Sequence, residues 1–185
     1  MKVIRSLALA VAVVLLAGLP LLAQNQIDNP VYQNWARFKP GTRVAYSQTS
    51  EVMGNTTESQ IVYELVEVTP DKVVVELTGS TTLLGKRTDM PKARLEYPAR
   101  TDPADPTVKN ALNARTASTE ETLDLLGGKL TCKVFEATVE QQGSTIKSRF
   151  WYSDEIPGSL VKSETIMEKP VQTKTLMVLS EKVIK

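Results

Sequence analysis

"ETLDLLGGKLTCKVFEATVE", residues 121–140, decides the class of fold. Apolar and polar residues alternate on both sides of a Gly-Gly pair, which is the period of a strand with one buried face. Gly127 and Gly128 can both take the positive φ of a two-residue hairpin turn, so the stretch predicts a hairpin with those two at its tip. In that register Leu126 faces Lys129, Leu125 faces Leu130 and Leu123 faces Cys132. Leu123, Leu125, Leu130 and Cys132 then point to one side, so turn chemistry and apolar pattern agree.

The same period recurs from residue 42 to the end. "TRVAYSQTSEVM" puts Val44, Tyr46, Gln48 and Val52 on one face, and "GNT" turns the chain. "TESQIVYELVEVT" and "KVVVELTGSTTLL" continue the alternation on either side of the reverse turn "TPDK". These three strands are expected to be consecutive antiparallel neighbours. Prolines 91, 98, 103 and 106 interrupt the middle of the chain and cannot donate to a sheet ladder. A bent or edge strand is expected over 86–97, then a loop in which Asp105 caps a short helix with Pro106 in its first turn, running to about Ala114. Before the sheet, Asn29 and Pro30 open another short helix, whose Tyr32, Trp35 and Phe38 would pack on the sheet. After residue 140, "STIKSRFWYS", "GSLVKSETIMEK" and "QTKTLMVLSEKV" complete the pattern. The expected fold is mainly β: one domain of about nine antiparallel strands in a meander, forming a curved sheet or half-open barrel with two short helices.

The N-terminus reads as a secretory signal. Lys2 and Arg5 precede an apolar run from Leu7 to Leu22, and the chain turns polar after "LLAQ". The run is shorter than the ~20 residues of a spanning helix and Pro20 interrupts it, so cleavage after Ala23 is expected rather than a membrane anchor. That leaves residues 24–185 as the single domain, in the periplasm or outside the cell, with no membrane span. The whole chain of 185 residues has 22 basic and 21 acidic residues, and this balance gives no reason to expect a nucleic-acid partner. The single cysteine, Cys132, allows no internal disulfide and sits at a buried-type position. The chain has no histidine, which excludes histidine-dependent nucleophile triads and histidine-based zinc sites. No cofactor and no metal are expected.

The one stretch that invites a catalytic reading is "RFWYSDEIPGSLVKSE", residues 149–164. Asp154 and Glu155 are adjacent, so in extended chain they point to opposite sides and cannot face each other across a cleft. Ile156-Pro157-Gly158-Ser159 fits a type II turn, with Pro at its second position and Gly at its third. The stretch is therefore read as a corner between two strands. In the strand before it, Ile146, Phe150 and Tyr152 share one face, and Lys147, Arg149 and Trp151 the other.

The residues Trp151, Asp154, Pro157, Leu160 and Lys162 resemble the W-I-D…G-L-P-x-K hairpin of secreted bacterial proteins of the lipoprotein-carrier-like type. "KLTCKVFE" followed by "WYSDEIPGSLVKSE" is also similar to a group of uncharacterised secreted bacterial proteins. The resemblance covers the last third of the chain and implies a half-open antiparallel barrel.

Function is expected to be binding rather than catalysis. The inward row Tyr46, Tyr63, Leu77, Phe150 and Tyr152, with serines and threonines along the same strands, is either a cavity wall for an apolar or lipid-like ligand or plain core. The alternative is a cell-envelope interaction module without a small ligand, using exposed strand edges to hold an envelope protein.

Overall fold

The computed structural model describes residues 26–117, 119–141, 143–169 and 171–185; the expected signal segment lies outside them. In chain order the elements are β1 (Ile27–Asp28), α1 (Pro30–Trp35), β2 (Arg43–Val52), β3 (Asn55–Val68), β4 (Lys72–Leu83) and β5 (Lys86–Pro98). Then follow β6 (Arg100–Thr101), α2 (Pro106–Thr116), β7 (Thr119–Leu125), β8 (Gly128–Gln141), β9 (Ser144–Tyr152), β10 (Leu160–Met167) and β11 (Thr173–Val183). Nine strands form one antiparallel sheet in the order β5-β4-β3-β2-β11-β10-β9-β8-β7, which is not closed into a barrel; β1 and β6 make a separate two-residue ladder. The strands run as two meanders, β2–β5 and β7–β11, joined where the last strand pairs with the first long one.

Local chemistry sets both helix starts. Asn29 Oδ1 accepts from the Val31 and Tyr32 amides at 2.9 and 3.4 Å, satisfying donors that the first turn leaves free. Asp105 Oδ1 does the same for Thr107 and Val108 at 2.8 and 3.3 Å. The edge strand β5 takes its proline in a bulge: pairing passes from Ala93 to Met90 while β4 advances from Leu77 only to Gly79. Pro91 therefore sits where no ladder bond is needed.

The β7–β8 hairpin exists, but its turn lies one residue earlier than its glycine pair suggests. Leu126 and Gly127 occupy the tip at φ 53° and 77°, and Gly128 is already in the strand opposite Leu125. Leu123 accordingly faces Leu130, and Glu121 rather than Leu123 faces Cys132. The register changes by two, so the four apolar side chains still share one side. The gain is cross-strand charge matching, because this register sets Asp124 opposite Lys129 and Glu120 opposite Lys133. The β2–β3 and β4–β5 turns are built alike, from Met53-Gly54 and Leu84-Gly85, so Asn55 belongs to β3 and not to a turn.

The core occupies one end of the sheet. Val44, Tyr46, Leu65, Val73, Val75 and Leu179 are buried there with Trp35 of α1. Tyr32 anchors α1 to the β3–β4 turn, its hydroxyl donating to the Thr69 carbonyl at 2.9 Å. Helix α2 is tied to α1 by Arg115, which donates to Gln33 Oε1 at 3.0 Å, and to β8 by Lys133, which donates to the Arg115 carbonyl at 3.2 Å.

Candidate functional site

Between the two helices and the sheet lies a cavity of about 330 Å³, near the lower bound for small-ligand sites. Tyr46, Tyr63, Tyr97 and Tyr152 contribute to its sheet side, Val31 and Trp35 to the α1 side, and Asn110 and Ala111 to the α2 side. A second cavity of about 240 Å³ adjoins it, sharing Val31, Ala111, Tyr152 and Gly158. Its wall is charged, with Arg115, Glu120, Lys133, Asp154 and Glu155.

The strand registers place Tyr46, Tyr63, Leu77, Phe150 and Tyr152 on one face, as the alternation implies. Only the three tyrosines of that row line the larger cavity. Tyr46 meets Tyr63 edge to face at 5.9 Å, and its hydroxyl donates to the Leu160 carbonyl at 2.8 Å. At 2 % exposure Tyr46 is both cavity wall and core. Leu77 lies opposite Tyr63 on β4, outside the cavity lining, and Phe150 is stacked between Phe135 and Tyr152 at 6.3 and 6.0 Å. Burial raises all four cavity phenols above the ordinary tyrosine value. Tyr97 and Tyr152 are each pushed to about 12, in both cases chiefly by burial. A polar ligand with no hydrogen bonds to offer would be disfavoured in such surroundings.

Thr131 of this face lines the adjoining cavity, whereas six other serines and threonines of it lie outside both cavities. They pair across strands: Ser59 with Thr81 at 3.1 Å, Ser50 with Thr175 at 3.2 Å, and Ser148 with Thr165 at 3.1 Å.

Residues 153–159 form a docked corner. The Ser159 amide donates to the Ile156 carbonyl at 2.8 Å and Gly158 has φ 79°, as a type II turn requires. Ile156 and Pro157 are buried, whereas Asp154 and Glu155 are exposed. On the opposite face of the sheet, Trp151 donates to Glu121 Oε2 at 2.7 Å, beneath Arg149 at 4.7 Å and Lys162 at 4.3 Å from its ring centroid. Cys132, next to Val134 on that face, is fully buried, and its thiol is pushed up to about 11, mainly by burial and then by Glu121 and Glu155.

No family model and no curated protein matches the chain. Among solved structures it is similar to a Bacteroides fragilis protein of YmcC-like fold, at 14% identity and TM-score 0.45, covering 79% of this chain and 97% of that one. It is also similar to an outer membrane lipoprotein-sorting protein domain from Vibrio parahaemolyticus, at 9% identity and TM-score 0.26, covering 83% and 89%.

Tyr97 is the cavity residue that sequence patterning misses. It sits on β5 opposite Val73, but the bulge at Pro91 breaks the alternation that would have assigned its face. The contributions of Val31, Asn110 and Ala111 depend on how two short helices cross the sheet, which period alone cannot give.

Proposed function

We propose that this is an exported, non-enzymatic binding protein that holds an apolar or lipid-like ligand against the tyrosine-lined face of its sheet. The observation that carries the reading is the cavity of about 330 Å³ walled by Tyr46, Tyr63, Tyr97 and Tyr152 and roofed by α1 and α2. Aromatic rings and aliphatic side chains there offer an apolar surface, at about 25 cal/mol per Å² removed from water. The adjoining charged cavity gives the polar end of an amphiphile a place to meet water. Phe150 and Leu77 belong to the same face and would extend the contact beyond the helices if the ligand is long. The volume favours one chain or ring system over a bulky multi-chain lipid.

Native mass spectrometry of the protein purified from its own cell envelope tests this. A bound species of lipid-like mass, released by organic solvent, is the expected result. A bare protein under conditions that keep the fold intact would favour an envelope interaction module instead.

A further inference from the structure

Among the described residues, eight large apolar side chains are exposed, and six of them lie towards the end of the sheet remote from the helices. Val52 and Met53 sit at the β2–β3 turn, Leu83 and Leu84 at the β4–β5 turn, Val139 towards the end of β8, and Ile166 towards the end of β10. The first two turns are neighbours, because β3 and β4 pair directly. At a strand spacing near 4.8 Å their tips stand about 10 Å apart.

The tips are unfavourable for the fold itself. Met53 has φ 51° and Leu84 φ 50°, a region that asparagine and glycine enter far more readily than leucine or methionine. Neither side chain recovers that cost by burial, since Met53 is 79% exposed and Leu84 86% exposed. Leu126 shares that backbone geometry at the opposite end; what sets Met53 and Leu84 apart is their greater exposure, 79% and 86% against 48%, on two adjacent turns, which points to a contact outside the fold.

We propose that this rim docks on a lipid bilayer, with Met53 and Leu84 as the inserted side chains. The shape argues for a bilayer over a protein partner. A stable protein interface needs roughly 800 Å² of complementary surface on each side, whereas the two most exposed apolar side chains, Met53 and Leu84, stand singly on separate turn tips. A bilayer interface accepts isolated projecting apolar side chains. Charges beside the turns balance: Glu51 stands opposite Lys174, Arg87 pairs with Asp89 at 3.4 Å, and Lys86 is offset by Glu58. Binding should therefore rest on insertion and depend little on salt.

The test is sedimentation of the protein with phosphatidylcholine vesicles, comparing the wild type with the double variant Met53→Asn, Leu84→Asn. Asparagine suits the left-handed turn position, so the variant keeps the fold, checked by an unfolding midpoint no lower than that of the wild type. We expect its vesicle partitioning to fall at least tenfold. Leu126→Asn, the same change in the same kind of turn at the opposite end, should leave partitioning unchanged. The proposal is overturned if the wild type does not sediment with the vesicles, if the double variant binds as well as the wild type, or if Leu126→Asn weakens binding equally.

Discussion

The Gly158 amide donates to the Asn34 side-chain oxygen at 2.6 Å, fastening the β9–β10 corner to the first helix. The same glycine presses against the Trp35 indole: a Cβ at Gly158 would meet Trp35 carbon Cζ2 at 3.2 Å. One residue therefore holds together the corner, the helix and a wall of both cavities.

Gly158→Ala should accordingly destabilise the protein. A side chain at φ 79° costs roughly 1–2 kcal/mol before any clash with the indole is counted. Asp154→Asn with Glu155→Gln should leave the denaturation midpoint and the binding of an uncharged apolar ligand nearly unchanged, since both carboxylates are exposed on the turn and line only the adjoining charged cavity. Urea unfolding separates the two cases; loss of binding in the folded double amide variant would return the carboxylates to the functional site.

The two glycines of the β7–β8 hairpin should respond differently. Gly127→Val places a β-branched residue at φ 77° and is expected to cost on the order of 1–2 kcal/mol. Gly128→Val falls in a strand with open space around the new side chain, and should be neutral or stabilising by up to about 1 kcal/mol. Equal losses in both variants would mean that the turn is centred on the glycine pair after all.

That hairpin shows where sequence reading succeeds and where it stops. The caps at Asn29 and Asp105 are legible because a short side chain meets unpaired amides within two or three residues. Alternation put Tyr46, Tyr63 and Tyr152 on one face because strand period is a local property. The exact turn was not legible, since Leu126 accepts a strained φ to bring Asp124 and Glu120 opposite lysines on the other strand. Nor was the closing pair β2–β11, in which Tyr46 meets Leu179 across more than a hundred residues with no local signal. The cavity combines both cases, with its strand residues readable and its helical roof dependent on tertiary packing.

Alkaline pH should unfold the protein in a defined window. Tyr97 and Tyr152 keep their protons to about 12 in the fold against a reference of 10.0, so above pH 10 the native state binds more protons than the unfolded one. Stability is then fully present below about pH 10 and falls as pH rises towards 12. Unfolding midpoints measured across that range, followed alongside tyrosinate absorbance, should decline together. A midpoint that stays level to pH 12 would show that these phenols are not buried as described.

The central claim is that the tyrosine-lined space is an occupiable site and not a packing gap. Titration with an apolar, environment-sensitive dye tests it most directly, using the wild type and Ala111→Trp, which fills the space from the α2 side. One dye per wild-type chain, with affinity lowered at least tenfold in Ala111→Trp and folding preserved, is the predicted result. Tyr63→Ala should also alter affinity while costing less than the roughly 3–5 kcal/mol of a fully packed large aromatic. If the folded wild type ignores the dye and Tyr63→Ala fails to fold, the four tyrosines are core and the binding function falls.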